Sequence, residues 1–292
     1  MADLPELTSP RVLKELLREK GLRPRRSRGQ NFLIDRNIAH KIIDAARLQP
    51  GDPVVEVGPG AGALTTILVR RGVRLVAVEL DRGLAAALSE LLSSYRGIIV
   101  LPEDALKIDW GELQQHYFAS AGPAVLISNL PYNISTPFLH SLFRQGFPLK
   151  KAILMLQKEV ALRLTAEPGG DYGALSAFSR FYTRPRILFP VGRTAFWPQP
   201  EVDSAVVMLQ PRRPLLSRAE QIVFRRIVEA SFQQRRKMVV NSLRHLCSDS
   251  RDERILLLRQ AGIEPAARAE MLTVEQFAKL ARIAYNRTNK CT

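Results

Sequence analysis

Between residues 53 and 157 the chain alternates short, almost wholly apolar runs with longer stretches where apolar residues recur every three or four positions. The runs lie at 53–57, 74–81, 97–101, 124–128 and 151–157. They are rich in β-branched residues and too short for buried helices, so they predict fully buried strands. The intervening 63–71 and 82–94 have helical periodicity. Strand–helix units repeated in this way predict an α/β fold, a mainly parallel sheet with helices on both faces.

The same reading extends outward from this block. Residues 8–21 predict a helix capped by Thr8 or Ser9, with Pro10 in its first turn and Gly21 at its end. Residues 36–47 predict another, which the amides Gln30 and Asn31 could simply cap. Runs at 186–191 and 202–210 predict the last two strands, a hairpin carrying Phe196 on its loop. Beyond the Pro- and Arg-rich hinge at 211–214 the period is helical. Ser217-x-x-Glu220 and Thr273-x-x-Gln276 are capping boxes, and Phe224, Ile227, Val228 and Phe232 share one helical face. The expected domains are therefore 1–211, opening with a basic segment at 1–29, and a small all-helical, basic domain at 212–292.

Candidate chemistry sits where predicted strands end. In an open α/β sheet, ligands bind beyond the carboxyl ends of the strands. The first strand runs into Gly58-Pro59-Gly60-Ala61-Gly62, a turn whose glycines let backbone approach a ligand. Glu79 follows about twenty residues on, where a carboxylate can accept both hydroxyls of a ribose. Asp104 closes the third strand, placed to take an adenine amino group. The fourth ends in Asn129-Leu130-Pro131-Tyr132, which brings together an amide, a rigid backbone and a flat ring. The glycine turn and Glu79 alone fit a dinucleotide as well as S-adenosylmethionine, and a plain helix turn with an exposed acid is the bland alternative. The turn spacing, Asp104 and the tetrapeptide favour the methyl donor over hydride transfer. On this reading the tetrapeptide grips a nucleobase amino group. The Asn129 oxygen and the Leu130 carbonyl accept its N–H groups, Pro131 stiffens the backbone between them, and Tyr132 stacks on the base. Tyr132 as an ordinary half-buried core aromatic is the alternative.

Charge points to the substrate class. The 292 residues carry 43 Lys and Arg against 28 Asp and Glu, a formal net charge of +15. Such a surplus favours a polyanion through counterion release. Arginines cluster at Arg23, Arg25, Arg26 and Arg28, and again at Arg225, Arg226, Arg235 and Arg236 beside Lys237; both clusters are candidate RNA contacts. Cys247 and Cys291 are far apart and the four histidines (His40, His116, His140, His245) lack ligand spacing, so no disulfide framework or metal site is expected. The N-terminus lacks a signal-peptide pattern and no apolar run reaches the roughly 18 residues of a membrane span. A cytoplasmic monomer without membrane contact is expected.

With these residues in view, the chain resembles the small-subunit (16S) ribosomal RNA adenine N6,N6-dimethyltransferase family. The matching segments are 30–33, 56–65, 78–81, 103–106, 129–137, 157–166, 172–176, 196–207 and 235–238. The resemblance implies a Rossmann-like class I methyltransferase sheet followed by a small helical domain. It implies S-adenosylmethionine as cofactor and 16S rRNA of the small subunit as partner, with dimethylation of two adjacent adenosines near the 3′ end. By the same resemblance Asn31, Leu33, Gly58 and Gly60 border the cofactor, Glu79 holds the ribose and Asp104 the cofactor adenine. Asn129 touches both cofactor and base, and Phe196 sandwiches the target adenine against Tyr132. Two positions depart from the family pattern: Gly192-Arg193 stands where a Pro-Pro pair is usual, and Glu201 where Lys is usual. Alternatives are a 23S rRNA adenine methyltransferase of the resistance type, an RNA-binding assembly factor whose methylation is secondary, and a dinucleotide-dependent oxidoreductase.

Overall fold

The computed structural model describes residues 4–25, 29–233, 237–244 and 250–288. Arg26, Arg28, Arg235, Arg236, His245, Cys247 and Cys291 lie outside the described residues. Contacts divide the chain into two units, one of residues 1–161 with 186–211, the other of residues 162–185 with 212–292.

The first unit is built on a seven-stranded sheet. Its strands are β2 (Pro53–Val57), β3 (Arg74–Val78), β4 (Ile98–Leu101), β5 (Val125–Asn129), β6 (Lys151–Gln157), β7 (Thr183–Val191) and β9 (Ser204–Pro211). Their spatial order is β4-β3-β2-β5-β6-β9-β7. The pairs from β4 through β6 are parallel, and β9 is antiparallel to β6. Strands β2, β5 and β6 are buried on both faces apart from their end residues, which is why their sequences are apolar without alternation. The Rossmann-like α/β expectation holds. The chain order reverses between β2 and β5: β3 and β4 are laid down on one side of β2 and everything later on the other. Such a switch point leaves a crevice at the carboxyl ends. The loops after β2 and β5 therefore meet.

Local signals act as expected in several places and differently in others. The second strand ends at Val78 rather than running to residue 81. Asp81 instead caps helix α4 (Arg82–Leu91), accepting from the N–H groups of Gly83 and Leu84. Helix α2 (Arg36–Ala45) is capped by Asp35, whose carboxylate accepts from Ile38 N–H, so the amides before it are not its caps. Helix α1 (Pro10–Glu19) has Ser9 at its cap position without a side-chain capping bond. Its Leu13 and Leu17 pack with Phe32, Ala61 and Leu84.

The hairpin expectation needs correction. Strands β7 and β9 are neighbours, but Phe196 does not sit on a free loop between them. It begins a two-residue strand β8 (Phe196–Trp197) that pairs antiparallel with β1 (Phe32–Leu33), with Leu33 opposite Phe196. Burial of Phe32, Leu33 and Phe196, with Trp197 partly buried, explains the pairing, and a two-residue strand has no period by which to announce itself. Between β7 and β8, Gly192 has φ −68° and ψ 147°. A β-carbon there would meet only Thr194 Oγ1, at 3.7 Å. Proline needs this φ, so Gly192→Pro is expected to stabilise the fold by about 0.4–1 kcal/mol through the unfolded chain. Calorimetric unfolding checks this; a lowered midpoint would show that Gly192 serves a purpose proline cannot.

The second unit is helical. It contains α8 (Ala174–Tyr182), α9 (Arg218–Gln233), α10 (Val239–Ser242), α11 (Arg251–Gln260) and α12 (Val274–Thr288). Both expected capping boxes form. Ser217 N–H donates to Glu220 and Glu220 N–H to Ser217 Oγ; Thr273 and Gln276 are likewise reciprocal. The sequence reading kept 162–185 in the first domain, whereas their contacts place them here. Phe181 of α8 stacks on Phe224 of α9 at 3.9 Å between ring centroids, and Phe178 meets the same ring edge-on. Aromatic burial between segments forty residues apart decides this grouping.

Candidate active site

A cleft enclosing about 980 Å³ of space, open mouth included, lies at the carboxyl ends of β2, β3, β4 and β5. Ten of the eleven candidate residues line it: Asn31, Leu33, Gly58, Gly60, Glu79, Asp104, Asn129, Leu130, Pro131 and Tyr132. The eleventh, Phe196, is not among the lining residues.

The glycine turn gives the cleft its floor. Gly58 has φ +66°, and a β-carbon on it would stand 2.9 Å from Pro131 Cδ. A side chain there is excluded both by backbone conformation and by the tetrapeptide itself. The two loops thus lie backbone against ring. Gly60 N–H donates to Glu79 Oε2 at 3.0 Å, and Asp81 N–H to Glu79 Oε1 at 2.8 Å. Both carboxylate oxygens are therefore aimed by backbone. Asp104 at the end of β4 accepts from Leu106 N–H with one oxygen, at 3.0 Å, and is half-buried.

At the tetrapeptide, Asn129 Nδ2 donates to the backbone carbonyl of Asn31 at 3.1 Å. Leu130 is buried and its N–H donates to Met155 O. Pro131 O accepts from Ser135 Oγ and from Ile134 N–H, opening helix α6 (Ser135–Arg144). Tyr132 is half-buried, and its hydroxyl shares a 2.5 Å hydrogen bond with Ser204 Oγ. Burial pushes the Tyr132 phenol up from its ordinary value; the Ser204 hydrogen bond opposes this and nearby Asp203 adds to it. The ring is a neutral, anchored plate.

Phe196 does not face Tyr132 as the second plate of a slot. It is 2% exposed, and the two rings meet at 67° with centroids 6.5 Å apart. Sandwiching a base needs two roughly parallel faces; here Phe196 supports Tyr132 from the side. The expected sandwich is corrected accordingly, the cause being the β1–β8 pairing that draws Phe196 inward.

The sequence reading also passed over Glu56. It lies in the middle of β2, 1% exposed, lining the cleft. Burial pushes its carboxyl up to about 8; Thr65 opposes this and Glu79 adds to it. The opposition is partial, because neither Glu56 Oε2 nor Thr65 Oγ1 completes a hydrogen bond. An acid inside the run Val54-Val55-Glu56-Val57 was a visible signal, since a charge does not enter a double-faced core strand without reason. Its folded value lies above its ordinary 4.5, so the stability it contributes is full below that pH and is lost as pH rises through about 8. Relative to wild type, Glu56→Gln is expected to gain about 2–4 kcal/mol of unfolding free energy between about pH 5 and pH 8.5. Denaturant unfolding at the two pH values checks this; an unchanged difference would mean Glu56 ionises normally. Leu7 and Leu13, from the N-terminal segment, also line the cleft, and Leu80 lines it while half exposed. No group of three or more His, Cys, Asp or Glu among the described residues could hold a metal ion, and no helix among them is long and apolar enough to cross a membrane.

Comparisons with known proteins concern the chain as a whole. The family model of ribosomal RNA adenine dimethylase matches residues 21–286. The ribosomal RNA small subunit methyltransferase A of Moorella thermoacetica is 43% identical over 285 residues, covering 96% of this chain and 99% of that protein. Its counterpart from Pelotomaculum thermopropionicum is 44% identical over 283 residues, covering 94% and 96%. Among solved structures, a dimethyladenosine transferase from Plasmodium falciparum superposes with a TM-score of 0.70 at 26% identity, over 85% of this chain and 95% of that one. The 23S rRNA methyltransferase ErmE superposes with a TM-score of 0.64 at 29% identity, over 87% and 99%.

Proposed function

The chain belongs to the ribosomal RNA adenine dimethylase family, and on that premise we propose that it dimethylates the N6 amino groups of two adjacent adenosines near the 3′ end of 16S rRNA during small-subunit assembly. The methyl donor is S-adenosylmethionine. The observation that carries the reading is the convergence of the glycine turn, Glu79, Asp104 and the tetrapeptide on one cleft at the β2/β5 switch point.

The cleft fits the donor. Gly58 lets the turn close directly on the Pro131 ring beside the cleft, and Glu79 presents both oxygens under backbone control. Glu79 would hold the ribose hydroxyls and Asp104 the adenine amino group, with Asn31, Leu33, Gly58 and Gly60 bordering the rest. Bound there, S-adenosylmethionine supplies an electrophilic sulfonium methyl whose departure leaves a neutral thioether. The target N6 is a poor nucleophile because its lone pair is spread into the purine ring. The Asn129 oxygen and the Leu130 carbonyl accept its two N–H groups and localise that pair toward the methyl carbon. The N–C bond would form as the donor's S–C bond breaks, and N6 would release its proton to solvent water only once the nitrogen carries positive charge. No strong base is needed, so the work is positioning and fixed dipoles. Neutral Asn129 orients without pairing to the sulfonium. Tyr132, pinned by Ser204, stacks on the extruded base, an interaction of roughly 1–3 kcal/mol. Because the leaving group is neutral, no metal is called for.

RNA affinity on this reading comes from the basic surface of each unit. Arg226 and Lys237 of the helical unit are exposed, whereas Arg225 donates to the Tyr182 hydroxyl. Incubation with labelled S-adenosylmethionine and small subunits from cells lacking this modification, followed by mapping, tests the proposal. Label on adjacent adenosines of 16S rRNA is expected. No label in 16S rRNA would overturn it.

A further inference from the structure

We infer that the backbone carbonyl of Asn31, held by the turn at Gly29, sets the Asn129 amide in the orientation that presents its oxygen to the target amino group. Residues 29–31 are then a positioning element for methyl transfer. This rests on the reading of Asn129 as acceptor for the adenine N6 amino group.

The two ends of a primary amide are nearly the same size, so packing alone barely distinguishes them. Chemistry does. A backbone carbonyl only accepts, so the Asn129 NH2 must turn toward Asn31 O, 3.1 Å away. The oxygen is thereby left on the opposite arm of the planar amide. A half-turn of the amide would face NH2 against the adenine NH2, two donors with no acceptor between them. The Asn31 carbonyl thus excludes the inactive orientation before substrate arrives.

The carbonyl is itself tightly placed. Gly29 has φ +63°, a conformation that disfavours any β-carbon. A β-carbon there would also stand 2.8 Å from Asn133 Oδ1 and 3.2 Å from the backbone nitrogens of Tyr132 and Asn133. Glycine lets this turn lie directly on the tetrapeptide. Asn31 Nδ2 donates to Gly29 O at 3.3 Å, closing the turn. On its other side the segment is anchored by β1, whose Phe32 and Leu33 pair with Trp197 and Phe196. The ribose and adenine anchors, Glu79 and Asp104, belong to the ends of other strands. Gly29 and Asn31 line the same cleft, so transfer measured at saturating donor separates orientation from donor affinity.

Gly29→Ala tests this. In single-turnover methylation of undermethylated small subunits, the variant is expected to slow transfer about 10- to 100-fold, the scale of a small misplacement at a reacting centre. The rate is read at saturating S-adenosylmethionine, so that a change in donor affinity does not enter it. In an Asn129→Ala background, where no amide remains to orient, the same change slows transfer less than about threefold, since residues acting as a unit are non-additive. In asparagine-selective ¹⁵N-labelled protein, the side-chain signal absent from Asn129→Ala shows slowed solvent exchange in wild type and loses that protection in Gly29→Ala. Equal slowing in both backgrounds, or Asn129 protection unchanged by Gly29→Ala, would overturn the inference. A different result marks failure of the underlying reading: wild type that leaves 16S rRNA unlabelled, or Asn129→Ala with near-normal turnover.

Discussion

Replacing Asn129 with alanine is expected to lower the rate of methyl transfer about 10²–10³-fold, the loss typical when one preorganised hydrogen-bonding group is removed from a reacting centre. Binding of small subunits should be unaffected, because the basic surfaces are untouched. Cofactor affinity should move only modestly, because Glu79, Asp104 and the glycine turn remain. The fold has little to lose: Asn129 sits at the last position of β5, half-buried, with its side chain bonded to a single carbonyl. Single-turnover kinetics with labelled donor, alongside filter binding of subunits, separates the two effects. Near-normal turnover would mean that N6 is activated by another group, and the roles of Asn129 and Leu130 would have to be abandoned.

The second large effect is expected at Glu79. Its carboxylate accepts two backbone N–H groups, from Gly60 and Asp81. Glu79→Gln replaces one acceptor with a donor, so one of those N–H groups would face an NH2. The turn would lose a bond and the ribose would lose a charged acceptor. Each such bond to a charged group is worth about 1.5–3 kcal/mol, so S-adenosylmethionine affinity should fall about 10²-fold. The rate at saturating donor should fall far less, since Glu79 is remote from the methyl carbon on this reading. Calorimetric titration, with kinetics at high donor concentration, distinguishes these. A dissociation constant within about threefold of wild type would remove Glu79 from the ribose site. Together the two substitutions separate the halves of the cleft: one should fail in chemistry and the other in donor capture.

Of the fold, the parts carried by local pattern were readable. The apolar runs at 53–57 and 151–157 are the strands β2 and β6 to the residue, because strands buried on both faces cannot be polar. The capping boxes at Ser217 and Thr273 form as read, because each closes within three residues. Strand β1 was not readable. Phe32 and Leu33 became a strand only because Phe196 and Trp197, more than 160 residues on, present a partner edge. Segment 162–185 likewise gave no sign of its allegiance, which rests on Phe178 and Phe181 finding Phe224.

The site divides in the same way. Residue type and position relative to a strand end were enough to nominate Glu79, Asp104 and Asn129, since the chemistry of ribose, adenine and amino-group recognition demands those groups. Family resemblance extended this to Asn31, Leu33 and Phe196. Orientation was a different matter. The amide of Asn129 is aimed by a carbonyl 98 residues away, Tyr132 is pinned by Ser204, and Phe196 is drawn out of the expected sandwich by a strand pairing. The environment that holds Glu56 protonated near neutral pH is likewise assembled from neighbouring strands and the α3 turn (Thr65–Arg70). Composition and periodicity act along the chain and therefore settle class, charge and the inventory of reactive groups. Direction and burial of side chains depend on contacts between distant segments, and those exist only once the chain has folded.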